Sequence, residues 1–151
     1  MMKGSCDFFG VNHYTSSYLR MNSDGSVTGS ATNKTGSLIG PYAESVWLNV
    51  YPEGIRGLLN WVDKRYNGTK TYIFENGVSV PHENEQSIEV ALHDTFRVDY
   101  YRDYIHELEK AVFLDNVNIK GYFAWSLMDN FEWADGFSVR FGLVYIDYKN
   151  N

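Results

Sequence analysis

Three short apolar runs alternate with two stretches of helical spacing, and this order restricts the fold of the 151-residue chain more than any other feature. Phe8-Phe9-Gly10-Val11 is an apolar run closed by Asn12, and reads as a buried strand. Pro52 and Glu53 then open a helix, because proline suits a first-turn position. Ile55, Leu58, Leu59 and Val62 share one face of it, and Asn67-Gly68 ends it. Thr71-Tyr72-Ile73-Phe74 is a second strand, closed by Glu75-Asn76-Gly77. Asp94 starts a second helix, in which Phe96, Tyr100, Tyr104, Leu108 and Ala111 recur at helical spacing; Asn118 to Trp125 is a third strand. Strand, helix, strand, helix, strand indicates one α/β domain on a parallel sheet, whose sites gather at the carboxyl ends of its strands.

The segments between are less regular. Residues 22–45 are rich in Gly, Ser, Thr and Asn without a hydrophobic period, and read as one long loop. Glu83-Asn84-Glu85 reads as solvated surface, and Phe141 to Ile146 alternates like a further strand in a hairpin with the segment before it. Cys6 is the single cysteine, so it forms no internal disulfide and lacks co-ligands for zinc. It is expected to be a small, nearly buried residue before the first strand.

Polar residues fall at the strand ends: Asn12 and Tyr14 after the first, Glu75 after the second, Trp125 onward after the third. A carboxylate where Glu75 stands is held rigidly at the mouth and can act as nucleophile, general base or metal ligand. Metal binding is the weakest of these, since no His or Cys lies at ligand spacing nearby. A surface glutamate opening a turn is the plain alternative. Tyr14 can donate a phenolic hydrogen bond that orients such a carboxylate, or can be a core tyrosine with a satisfied hydroxyl. His13, its neighbour on the strand, is expected to point away from the mouth. His82, His93 and His106 have neither metal nor triad spacing, and read as solvent-facing or capping residues.

The segment from Gly121 to Gly142 sets Trp125, Phe131, Glu132, Trp133 and Phe141 among aspartates and an asparagine. That mixture suits a sugar, whose C–H face stacks on aromatic rings while its hydroxyls hydrogen-bond to carboxylates and indole N–H groups. An aromatic core segment is the competing reading. A net charge of −6 without a basic cluster makes nucleic acid and anionic membrane poor partners. No apolar run approaches the roughly 20 residues of a membrane span. The N-terminal residues carry no visible compartment address, and there is no dinucleotide fingerprint, phosphate loop or serine nucleophile elbow.

Five pieces of the chain together resemble glycoside hydrolase family 1, the retaining β-glucosidases, and most of all its plant members. They are Asp7-Phe-Phe-Gly-Val-Asn-His-Tyr-Thr15, Ser45-Val-Trp-Leu-Asn-Val-Tyr-Pro-Glu-Gly54, Tyr72-Ile-Phe-Glu-Asn-Gly77, Asp94-Thr-Phe-Arg-Val-Asp-Tyr100 and Asn118 to Trp133. The resemblance implies an incomplete (β/α)8 barrel: strands six to eight with their helices, the C-terminal part of one glycosidase domain. It implies Glu75 as nucleophile and Tyr14 as the residue that orients it. It further implies Asn12, Trp125, Glu132, Trp133 and Phe141 as binders of the glucose unit, an unphosphorylated one. No metal or cofactor is implied; the expected partner is a β-glucoside or β-linked oligosaccharide.

Two departures from the family pattern stand out. Phe74 occupies the position before the nucleophile where the family usually has Thr, and strand alternation would send it toward the helix layer. The second carboxyl of a retaining glycosidase, which must stand about 5–5.5 Å from the first, lies in an Asn-Glu-Pro segment that this sequence lacks. Asn84-Glu85-Gln86 is no substitute. The expectation is therefore a truncated gene model, a domain remnant or one part of a split protein, missing the N-terminal part of its barrel and inactive alone. The rival expectations are a non-catalytic sugar-binding or interaction fragment, and an unfolded pseudogene product.

Overall fold

The computed structural model describes residues 4–150. In chain order its elements are β1 (Phe9–Asn12), β2 (Tyr18–Met21), β3 (Val27–Ser30), α1 (Glu53–Arg65), β4 (Thr71–Glu75), α2 (Ile88–Leu92), α3 (Thr95–Phe113) and β5 (Ile119–Tyr122). β1, β4 and β5 form a parallel three-stranded sheet with β4 in the centre, while β2 and β3 form a separate antiparallel hairpin.

Both long helices form where the apolar spacing places them. Pro52 has φ −60°, already helical, and α1 buries Ile55, Leu59 and Val62. Asn67 and Gly68, both with positive φ, turn the chain away. Asp94 caps α3 by accepting from the Arg97 backbone N–H at 2.9 Å, and Tyr100, Tyr104, Leu108 and Ala111 face inward. These side chains meet Leu48, Ile73 and Val78 in one core, in which the Tyr100 and Tyr104 rings stack with centroids 4.2 Å apart. Each fully buried Ile or Leu contributes roughly 1.5–3 kcal/mol, so this interface holds both helices to one face of the sheet. The other face carries Phe8, Tyr72, Phe74 and Phe123, linked by ring contacts of 5.2–6.2 Å.

Phe74 therefore does not turn to the helix layer. Ile73 takes that side, fully buried, and alternation sends Phe74 to the open face beside Tyr72. Val11 pairs with Ile73 and Asn12 with Glu75, so Phe74 is the extra residue of a β-bulge. Its ring lies where a side chain at Gly10 would stand, and the missing Cβ of Gly10 makes the room.

Other expectations are corrected as well. The supposed loop 22–45 begins inside the β2–β3 hairpin, whose turn is set by Asp24 accepting from the Ser26 N–H at 2.9 Å and by Gly25 at φ 81°. The tail makes no hairpin. Val144 bridges Met128 in parallel, and Leu143 donates its backbone N–H to the Ser126 carbonyl at 2.8 Å. Cys6 is exposed. Glu83 is buried in an ion pair with Arg97 of α3 at 2.8 Å, where a solvated surface was expected. The pair explains the burial, since an unpaired carboxylate would not leave water. α2, capped by Ser87, was not foreseen.

Candidate active site

The three parallel strand ends are tied together by one side chain. Asn76, fully buried, donates from Nδ2 to the His13 carbonyl and to the Tyr100 hydroxyl, both at 2.8 Å. Its Oδ1 accepts from the Tyr122 hydroxyl at 2.7 Å. Its backbone carbonyl accepts the Trp125 N–H at 2.8 Å, and Tyr101 adds a hydrogen bond from its hydroxyl to the Trp125 carbonyl at 3.0 Å. Gly77 follows because its Cα lies against the Trp125 carbonyl, where any Cβ would collide.

This brace brings Tyr14 to Glu75. The Tyr14 hydroxyl donates to Glu75 Oε2 at 2.7 Å, a charge-assisted length, and the His13 N–H donates to the Glu75 carbonyl at 3.0 Å. Burial, the bond to Glu75 and the charges of Glu75 and Glu132 all push the Tyr14 phenol far above its ordinary value. Tyr14 is thus a hydrogen-bond donor at any working pH. Its ring packs edge-on against Phe141 at 6.0 Å and Trp47 at 5.7 Å.

On the opposite side the Trp125 indole N–H donates to Glu132 Oε1 at 3.0 Å. Burial raises the Glu132 pKa; the Trp125 bond offsets part of that, and the charge of Glu75 adds to the rise. Glu75, Tyr14, Trp125 and Glu132 therefore form one cluster. Asn12 sits at the end of β1, paired with Glu75, with its side chain exposed. Phe141 is only 3% exposed, so it supports Tyr14 from behind and offers no free face of its own. Trp133 is the reverse case: 84% exposed, at the start of a 3-10 turn, Trp133–Asp135. Trp47, half exposed beside Tyr14, was missed as a site residue because it lies in an irregular segment, where no periodicity marks its direction.

A buried charge network anchors the segment that carries Glu132. Asp129 accepts from Arg140 Nη1 at 2.5 Å and from the backbone N–H groups of Gly142 and Ile146, each at 3.0 Å. Arg140 Nε donates to Asn84 Oδ1 at 2.6 Å, and the Arg140 carbonyl accepts from Arg97 at 3.1 Å. Arg97 is also paired with Glu83 and Asp94. The network joins α3, the 81–86 turn and the 126–148 segment, and holds Glu132 toward the strand ends.

His13 points to the helix layer, its ring 6.0 Å from Tyr104, as the alternation along β1 requires. Its Nδ1 is buried without a hydrogen-bond partner among the described residues. Burial lowers its pKa from 6.5 to about 4. A folded pKa below the unfolded one favours the neutral ring, so the stability is complete above about pH 6.5 and lost as pH falls toward 4. The shift corresponds to about 3 kcal/mol. Urea midpoints at pH 7 and pH 4 should therefore differ more for the wild type than for His13→Gln. Glu83 and Glu132, whose pKa values are raised, act with opposite sign, and comparing the two proteins cancels them.

A helix-backed parallel sheet with a carboxylate, a tyrosine and a tryptophan converging at its carboxyl ends puts the polar cluster where α/β folds carry their sites. The model of glycosyl hydrolase family 1 matches residues 1–151, and the chain belongs to that family. Beta-glucosidase 6 of Oryza sativa subsp. japonica is 42% identical over 100% of this chain and 31% of its own length. Raucaffricine-O-beta-D-glucosidase of Rauvolfia serpentina is 44% identical over 100% of this chain and 30% of its own length. The solved beta-glucosidase from Trichoderma harzianum superposes with a TM-score of 0.94 at 52% identity, over 97% of this chain and 33% of that one. The beta-glucosidase from the fungus Humicola insolens in complex with glucose gives 0.93 at 45%, over 97% and 32%. The likeness is thus to fungal as well as plant members. The chain spans about a third of the length of these relatives.

Proposed function

We propose that these residues form strands six to eight, the C-terminal part, of a retaining β-glucosidase barrel, with Glu75 as its nucleophile. The observation that carries this reading is the 2.7 Å bond from the Tyr14 hydroxyl to Glu75 Oε2 at the junction of the strand ends. Tyr14 engages one carboxylate oxygen and fixes the plane of the group. The other oxygen can then attack the anomeric carbon of a bound glucoside. The leaving oxygen departs with a proton from an acid, and water later cleaves the glycosyl ester from the same face. Trp125 supplies a ring beneath the sugar; Glu132, Trp133 and Asn12 bind its hydroxyls; Trp47 supplies an apolar wall. Phe141 keeps Tyr14 in place.

The partner molecule is a β-glucoside or a β-linked oligosaccharide. The acid at about 5–5.5 Å from Glu75 must come from the part of the barrel outside these residues. Turnover by the 151-residue chain alone is accordingly negligible, because general acid catalysis is worth roughly 10²–10⁴ in rate. An activated 2-deoxy-2-fluoro glucoside tests the nucleophile without that acid, because its leaving group departs unprotonated. Mass spectrometry is expected to find one added fluoroglucosyl unit, on the peptide holding Glu75. An unlabelled chain, under conditions that label a family member in full, would refute the role of Glu75.

A further inference from the structure

We propose that the cleft between the β2–β3 hairpin and the turn after it binds an aryl carboxylate, with Arg20 and Lys34 holding the acid and Tyr18 stacking on the ring. The cleft has a volume of about 730 Å³, within the range of small-molecule sites. The register Tyr18↔Ser30 and Arg20↔Thr28 puts these four side chains on one face of the hairpin. Ser30 and Thr32, whose hydroxyls lie 3.2 Å apart, lead the chain from that face to Lys34, which lines the same cleft. Tyr18 is 39% exposed, and its ring meets no other aromatic among the described residues. Arg20 and Lys34 are exposed, and neither has an ion-pair partner there.

Charge selects the class of ligand. Between Thr15 and Ala43 the chain carries two cations and one acid, although its net charge is −6. That acid, Asp24, is taken up by the hairpin turn, where it accepts from the Ser26 N–H at 2.9 Å and the Ser26 hydroxyl at 2.6 Å. The local field therefore favours an anion on a protein that otherwise repels one. Lys34 stands on a fixed turn, closed by Asn33 Oδ1 accepting from the N–H groups of Thr35 and Ser37, each at 2.9 Å. A carboxylate accepts from a guanidinium and an ammonium at once, and a flat apolar body behind it covers the Tyr18 ring.

Two molecules carry this chemistry: a free aryl acid, and the acid-bearing leaving group of a bound glucoside. The second rests on the glucosidase function proposed above. Residues 15–46 leave that site at Tyr14 and return to it at Trp47, whose rings lie 5.7 Å apart. Tyr18 follows Tyr14 by four residues, so at most about 14 Å of chain separates them.

The probes are 4-hydroxycinnamate, its β-glucoside and the methyl ester of each, titrated calorimetrically into the full chain. The acids should bind about fivefold or more tighter than their esters at low ionic strength, the scale of two exposed charge pairs. High salt should remove that advantage. Arg20→Gln and Lys34→Gln should each reduce it and the double variant abolish it, while Arg20→Lys keeps most of it. Lys64→Gln, at the end of α1, should leave it unchanged. Circular dichroism checks that each variant is folded. Absence of binding, equal affinity for acid and ester, or an acid preference that survives the double variant would overturn the proposal. A glucoside that binds more tightly than the free acid assigns the anion to the leaving group; one that does not assigns it to a free acid. Acid preference without labelling of Glu75 by the fluoro-glucoside leaves the cleft intact and removes the glucosidase function. Labelling without acid preference does the reverse.

Discussion

Replacing Glu75 by Gly, with these residues joined to the remaining strands of a family 1 barrel, is expected to lower hydrolysis of 2,4-dinitrophenyl β-glucoside by on the order of 10⁴–10⁶-fold, the scale seen when a sole nucleophile is lost. Azide should restore turnover and release α-glucosyl azide. Retention comes from two inversions, the first by the carboxylate and the second by water. With Glu75 removed, the space in front of Tyr14 admits a small anion, which attacks the anomeric carbon once as dinitrophenolate departs. One inversion gives the α product. Because that phenolate leaves without a proton, the result does not depend on the second carboxyl. A loss below tenfold, or a β-configured azide read from the anomeric proton coupling, would rule out Glu75 as the nucleophile.

The parts of the fold that were legible in the sequence are those where burial imposes a period. Ile55, Leu59 and Val62 mark α1, and Tyr100, Tyr104, Leu108 and Ala111 mark α3, because each must face the sheet. The β2–β3 hairpin hid for the opposite reason. Nearly all of its residues are exposed, so no alternation was needed, and the readable signal was the Asp24-Gly25 turn. Glu83 was misread because the partner that allows its burial, Arg97, stands on another element. Phe74 was misread because its side was counted back from Glu75, across the bulge against β1; counted from Tyr72 and Ile73, alternation gives the open face. Within the site, the meeting of Tyr14, Glu75 and Trp125 could be anticipated from three strand ends on one sheet. Phe141 could not be placed, since its depth depends on how the tail folds over Ser126.

Asn76 shows how much a turn-like tripeptide can hide, and its replacement by Leu has the largest expected effect on stability. Leu keeps the branch at Cγ but satisfies none of its partners. The His13 carbonyl loses an amide donor, the Tyr122 hydroxyl loses its acceptor, and Tyr100 loses a donor to its oxygen. Each buried polar group left unpaired costs roughly 1–3 kcal/mol, so with three partners deprived Asn76→Leu should cost about 3–9 kcal/mol. Against the 5–15 kcal/mol typical of a whole domain, that approaches complete unfolding. A drop of about 2 M in the urea midpoint is the corresponding observation. The mechanism is separable from mere crowding by a second change. Tyr122→Phe alone removes one donor and should cost about 1–2 kcal/mol. In the Asn76→Leu background the same change removes an orphaned hydroxyl, so the double variant should be no less stable than Asn76→Leu and up to about 2 kcal/mol more so. Simple additivity would show that the buried network is not what Asn76 holds together. Since its Nδ2 grips the carbonyl of the residue before Tyr14, even a folded Asn76→Leu chain should take up the fluoro-glucoside label at Glu75 more slowly.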